Sequence, residues 1–274
     1  MRAALRWGVS LAVACAFLAP LWWMLAASFR PSADVFGMAL GDWLLHPVFT
    51  LDGYVAAVRR AALPVALANT LLQVALVAGG GLLVNSMAAY AFARLEFRGR
   101  ELLFAVVVAL MILPLEALAV PMFLTARDLG LTGGRAATLA ALVLPFVAKA
   151  FNIYFLRQQL LLLPAELEEA AAIDGAGVWT QFWHVALPSI RPALATVVLL
   201  DALYHFSDFL WPLLVATRED TRTVQVSLAN LFTQPPVDWS AILAAAVLAT
   251  VPVMLLFRVL ERYLVATDVR VGIR

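Results

Sequence analysis

Lysine and cysteine are nearly missing from these 274 residues: Lys149 is the only lysine and Cys15 the only cysteine. A single cysteine excludes an intrachain disulfide framework and any zinc site built on paired thiolates. A single lysine, followed by Ala150 inside an apolar run, excludes a nucleotide-binding P-loop, which needs a Gly-rich turn leading into Lys and Ser or Thr. Charge is scarce as well, at 14% of residues against about a quarter in soluble domains. The net charge of +1 makes no basic field for nucleic acid. His46, His184 and His205 are too scattered to argue a metal site, and no nucleophile signature groups a Ser, His and Asp. The chain offers no enzyme chemistry of its own.

What it has in abundance is apolar surface, 64% of all residues. A helix crossing the hydrocarbon core needs roughly 20 mostly apolar residues. Six segments meet or approach that length, at about 7–27, 64–92, 102–125, 136–156, 190–216 and 240–260. The expected fold class is therefore an all-α membrane protein of six transmembrane helices, one membrane domain filling residues 1–274. Arg2 and Arg6 ahead of the first run also fit a secretory signal, but the run exceeds the roughly 7–15 apolar residues usual there. A retained helix is expected. Gly79-Gly80-Gly81 falls inside the second segment, where close helix packing is the simplest use for it.

Arginine sets the direction, because short positively charged loops stay cytoplasmic. With the N-terminus inside, cytoplasmic parts hold eleven arginines: Arg2, Arg6, Arg94, Arg98, Arg100, Arg157, Arg191, Arg258, Arg262, Arg270 and Arg274. Outside loops hold seven: Arg30, Arg59, Arg60, Arg127, Arg135, Arg218 and Arg222. Both termini are expected in the cytoplasm. The outside stretches 28–63 and 217–239 read as long loops, with Pro235-Pro236 barring regular structure locally.

The cytoplasmic stretch 157–189 is the informative one. Pro164 suits a first helical position, and Glu166, Glu168 and Glu169 then favour the positive end of the helix dipole. Ala170, Ala171 and Ala172 leave a smooth surface that another protein can approach closely. Asp174-Gly175-Ala176-Gly177 ends the helix or turns it sharply, and Trp179 to Val185 fits a second short amphipathic piece before Leu187-Pro188. On physics alone, an ordinary interfacial helix explains the segment equally well.

The spacing of Glu169-Ala170-Ala171, Gly175, Val185 and Leu187-Pro188 closely resembles the EAA loop of ABC-importer permeases. Ala88-Ala89-Tyr90-Ala91-Phe92-Ala93-Arg94, Asp128-Leu129-Gly130-Leu131, Arg157-Gln158 and Phe209-Leu210-Trp211-Pro212-Leu213 resemble the carbohydrate-uptake branch, in the expected order along nearly the whole chain. The chain is most similar to the maltose-type second permease, with two departures: Phe206-Ser207 replaces a Trp-Asn pair, and residues 268–274 lack the usual lysine-containing ending. The resemblance implies an inner-membrane subunit of a bacterial importer that transports a sugar or sugar-like solute. Its partners would be a second permease, two ATP-binding-cassette subunits carrying ATP and Mg, and an external solute-binding protein. It further implies ATPase coupling through a cytoplasmic helix at about 161–188, using Glu169, Ala170, Ala171, Asp174, Gly175, Leu187 and Pro188.

Ionisable and polar groups inside the spans are costly and tend to face a bundle interior or a wet path. Glu116, Lys149, Asn152, Asp201, His205 and Asp208 are such groups, with Asn69, Gln73 and Asn85 beside them. Asp201, His205 and Asp208, at i, i+4 and i+7, are expected on one helix face with Tyr204 and Trp211 close by. That face suits a sugar pathway, or else these groups pair with a neighbouring span. Pro114 and Pro121 are expected to kink the third span. An ion-driven transporter, a permease of the same type for glycerol-phosphate compounds and a membrane scaffold remain alternatives.

Overall fold

The computed structural model describes residues 2–37 and 49–265, with side chains over 6–37 and 49–263. His46 and the 268–274 ending lie outside the described residues. Among those described, all regular structure is helical. Three helices are long and apolar enough to cross a membrane: Arg6–Ser28, Leu63–Arg94 and Trp239–Tyr263. Three bent pairs raise the number of candidate spans to six if each counts as one.

The chain separates into two compact units. The first comprises Met1–Leu67 and Thr223–Pro252. It holds α1 (Arg2–Ser28), α2 (Asp52–Arg60), the start of α3 (Leu63–Arg94), α13 (Val224–Phe232) and the first half of α14 (Trp239–Val265). Gly53 is needed where α2 meets α14, because a Cβ there would lie 2.9 Å from the Ser240 backbone. Ser240 Oγ donates to Ser28 O at 3.3 Å, and Ser28 Oγ shares a 2.8 Å hydrogen bond with Tyr54 Oη. Arg60 pairs with Asp238 at 3.7 Å. The two stretches expected as loops thus each contain a nine-residue helix, α2 and α13. Helices this short gain stability from packing rather than from their own composition, so sequence signals them weakly.

The second unit comprises Ala68–Arg222 and Val253–Arg274. Its helices are the remainder of α3, then α4 (Arg100–Leu110), α5 (Leu115–Asp128), α6 (Arg135–Val143), α7 (Ala150–Leu161), α8 (Glu166–Ile173), α9 (Val178–Gln181), α10 (Leu187–Ser189), α11 (Arg191–Ser207) and α12 (Leu210–Val215). The third expected span is broken rather than gently kinked. Pro114, extended at ψ 138°, caps α5, and α4 and α5 meet at 101°. Pro121 is absorbed inside α5, where Thr125 Oγ1 donates to its carbonyl at 3.0 Å. The fourth span bends by 46° between Arg135–Phe146 and Ala150–Leu161. The fifth stops at Ser207 and restarts at Leu210.

A break at membrane depth frees backbone groups that need partners other than water. The break in the fourth span obtains them from distant side chains. Trp211 Nε1 donates to Ala141 O at 3.0 Å, Gln73 Nε2 to Leu142 O at 3.4 Å and Asn85 Nδ2 to Val147 O at 3.2 Å. Asn85 Oδ1 in turn accepts the Lys149 N–H at 2.9 Å. Of the three adjacent glycines, only Gly81 meets this crossing: a Cβ there would lie 3.2 Å from Val147 O, whereas Gly79 and Gly80 face open space.

Candidate functional site

Two groupings in the second unit collect the candidate residues. The first is α8 and the helical stretch after it. Pro164 precedes the helix instead of opening it; Ala165 is the N-cap, and Pro164 O accepts the Leu167 N–H. Glu166, Glu168 and Glu169 fill the first turn, where they complement the helix dipole. At the far end Gly175 is left-handed, φ +85°. Its N–H bonds Ala172 O at 3.0 Å and the Ala176 N–H bonds Ala171 O at 2.9 Å, so two terminal carbonyls are closed by a Schellman turn.

The two faces of α8 differ. Glu169, Ala170, Asp174 and Gly175 are exposed and Ile173 is 87% exposed, whereas Glu168 and Ala171 are half-buried. Glu168 sits three residues before Ala171, so the two share the inward side. Adjacent carboxylates, Glu168 and Glu169, therefore look in different directions.

After Gly177 the chain stays helical through Ser189, with a π turn at Phe182–Ala186. Leu187 N–H bonds Phe182 O, five residues back. Pro188 has no N–H to continue the ordinary ladder, which is why the widened turn falls here. The π turn is anchored from inside by Phe182 and Ala186, which join Tyr90, Leu156, Leu160 and Ile190 in one buried cluster. Leu187 packs against that cluster and Pro188 is half-buried, so both act in seating this segment rather than as exposed contacts. Trp179 and Trp183, 62% and 48% exposed, point the other way.

The second grouping lies where α7 and α11 meet. Lys149 Nζ is 2.8 Å from Asp201 Oδ1, Asn152 Nδ2 donates to Asp201 Oδ2 at 2.8 Å, and the Lys149 ammonium lies 4.6 Å from the Tyr204 ring centre. Asn152, Asp201, His205 and Trp211 are buried, while Tyr204 is exposed. His205 Nδ1 contacts Gln73 Nε2 at 3.3 Å, and the imidazole sits edge-on to Phe146.

Asp201 and His205 are buried on α11, and Asp208 is its C-cap, φ −65° and ψ 125°, so the helix ends at that i+7 position. Ser207 and Asp208 side chains compete for backbone hydrogen bonds, which favours ends over interiors. Glu116 is exposed in the first turn of α5. Asn69 is drawn to the other end of α3, where it donates to Asp220 O and Arg222 O at 3.0 Å each and accepts from Arg135 at 3.2 Å. Among the described residues no cluster of His, Cys, Asp and Glu could hold a metal ion.

Sequence reasoning missed Arg94. It ends α3, contacts Glu168 of α8 at 3.0 Å and donates to Leu160 O and Leu163 O at 2.9 Å each. An arginine closing a span beside an acidic short helix is the signal that could have found it.

Residues 81–267 match the family model described as binding-protein-dependent transport system inner membrane component. The chain is 33% identical to the arabinooligosaccharides transport system permease protein of Halalkalibacterium halodurans, over 92% of this chain and 90% of that one. It is 31% identical to the trehalose/maltose transport system permease protein of Thermococcus litoralis, over 94% and 91%. It is 28% identical to the lactose transport system permease protein of Rhizobium radiobacter, over 90% and 87%. A solved chain of a bacterial ABC transporter involved in import of the acidic polysaccharide alginate superposes with a TM-score of 0.78 at 26% identity, covering 96% of this chain and 98% of that one.

Proposed function

The chain belongs to the family of binding-protein-dependent transport system inner membrane components, and on that premise we propose that it forms half of the translocation pathway of an ATP-driven importer for a carbohydrate. The observation that carries the reading is α8: a short helix outside the long apolar segments, with an exposed Glu169–Ala170 face and a left-handed glycine closing it. That geometry suits a helix that seats in another protein. In this reading α8 and the π-turn segment dock on an ATP-binding-cassette subunit. Glu169 makes the polar contact, Ala170 allows close approach, Ala171 lets α8 lie close to the chain beneath it, and Gly175 with Asp174 sets the turn that leads on toward Leu187-Pro188.

Residues 1–274 then act as one permease domain with six spans, α4 with α5, α6 with α7 and α11 with α12 each counting as one, and both termini in the cytoplasm. The arginine distribution supports that orientation. ATP and Mg belong to the partner ATPase, since this chain has no lysine placed for a P-loop. A second permease and an external solute-binding protein complete the assembly. Along the pathway, Tyr204, Glu116 and Asp208 offer solute-facing groups, while Asn152, Asp201, His205 and Trp211 fix the wall behind them. The named relatives carry arabinooligosaccharides, trehalose or maltose, and lactose, which supports a saccharide as cargo.

The test is purification from the native membrane, then ATPase assays in vesicles with the binding protein and a panel of sugars and sugar phosphates. Stoichiometric ATPase subunits and stimulation by one sugar class are expected. A chain that transports alone under an ion gradient would sink the proposal.

A further inference from the structure

Arg94 occupies an unusual position at the end of α3. One guanidinium nitrogen, Nη2, donates to both Leu160 O and Leu163 O, the last carbonyls around the C-terminus of α7, at 2.9 Å each. Leu160 O also accepts the Leu163 N–H at 3.2 Å, so the guanidinium adds a bond to the turn that closes α7, and a cation there complements the negative end of the dipole. The same guanidinium reaches α8, where Nε lies 3.0 Å from Glu168 Oε2, an ion pair rather than an aligned hydrogen bond. Both side chains are largely covered, 15% and 13% exposed. Arg157 returns the connection from α7 to α3: its Nε donates to Phe92 O at 3.2 Å and its guanidinium stacks 4.0 Å from the Phe104 ring of α4.

The ends of α3 and α7 are thus stapled to each other in both directions. Helix α8 joins that staple through Glu168, on its inward side, about 100° round the helix from the exposed Glu169. The geometry points to Arg94 and Glu168 as the link by which displacement of α8 reaches α3 and α7; this rests on α8 being the ATPase-docking helix. A force applied to the outer face of an eight-residue helix needs a stiff inner attachment to move anything else. A half-buried ion pair, whose arginine is already held by two carbonyls, supplies it. Both are positioning residues: neither touches solute or nucleotide.

Glu168→Gln keeps the shape and removes the charge. Arg94→Lys keeps the charge and loses the planar fork that spans two helices. Glu166→Gln, exposed on the same helix, is the control. In reconstituted vesicles with the full complex, Glu168→Gln and Arg94→Lys are expected to retain stoichiometric ATPase subunits and stimulated hydrolysis. Solute moved per ATP should fall by roughly two- to thirty-fold, the span of coupling changes seen along physical networks. Glu166→Gln should leave that ratio unchanged. A purely structural role would lower assembly and hydrolysis together while preserving the ratio, and that result overturns the inference. So does a normal ratio in Glu168→Gln alone, should Arg94→Lys fail to assemble. Wild-type chain that recruits no ATPase overturns the docking role of α8 itself, a distinct failure visible before any variant is made.

Discussion

Lys149 Nζ stands 2.8 Å from Asp201 Oδ1, and the second oxygen of that carboxylate takes the Asn152 amide at the same distance. The pair ties the start of α7, just past the break in the fourth span, to the middle of α11. Asp201 is 3% exposed, so neither of its oxygens relies on solvent. Removing one partner of such a pair leaves a buried charge, at a cost of about 3–5 kcal/mol, while replacing both with apolar groups of similar volume is far milder. Asp201→Ala should therefore lower the thermal midpoint of the detergent-purified complex clearly, and Lys149→Met/Asp201→Leu should lower it less. A double variant as damaged as the sum of its singles would refute this account of the pair.

Asn85 serves both sides of the same break, donating to Val147 O and accepting the Lys149 N–H. Asn85→Ala leaves two backbone groups unpaired in an apolar setting, about 1–3 kcal/mol each. Ser86 is the natural comparison, since its hydroxyl bonds only Leu83 O within α3. Unfolding of the two alanine variants should differ by more than the error of the midpoint. Equal stabilities would mean that the break satisfies itself in another way.

The glycine run in α3 gives a graded test. Gly80→Ala meets open space and should be neutral or slightly stabilising, because alanine is the better helix former. Gly81→Val pushes a branched side chain toward Val147 O and the Asn85 amide, and overpacking of this kind costs about 1–3 kcal/mol. Membrane-inserted yield and thermal midpoint should separate the two variants.

At Gly175 the strain is in the backbone alone. A methyl group added there would meet no atom within 4 Å, yet φ is +85°. Alanine at a left-handed position costs about 1–2 kcal/mol, and asparagine should cost less. Gly175→Asp is expected to uncouple hydrolysis from uptake while the chain stays in the membrane, with Gly175→Asn close to wild type. Normal transport by Gly175→Asp in vesicles would show that the turn is dispensable.

The loop before α13 carries a pH dependence. Hydrogen bonding from Arg218 holds the Asp220 carboxyl below its ordinary range, and Asp220 holds the Arg218 guanidinium above its own. A depressed folded pKa means that the stabilisation is fully present above the usual aspartate pKa and is lost as pH falls through the folded one. Amide exchange of residues 218–223, corrected for intrinsic rates, should accelerate at the acid end. Asp220→Asn should abolish that dependence; persistence in the variant would assign it to another group.

How much of this was legible beforehand depends on the kind of signal. The long apolar runs gave α1, α3 and α14 directly, because burial in lipid needs only composition. The glycine at 175 announced its turn, because glycine takes φ +85° at no steric cost. The breaks were harder. Pro114 marks one of them and Pro145 lies in the 143–150 crossing, but nothing local shows how the free carbonyls of that crossing are satisfied, by Gln73, Asn85 and Trp211 from far along the chain. Arg94 was counted for its charge, and its role emerged only with the carbonyls of α7 in view.

Because Lys149 is the only lysine, the chain carries a native reporter of its own interior. Its amine is engaged by Asp201 and its side chain is 19% exposed, so an amine-selective reagent meets a single, shielded amine among the side chains. Reaction at that nitrogen would time the opening of one ion pair, with no engineered label and no competing lysine to subtract.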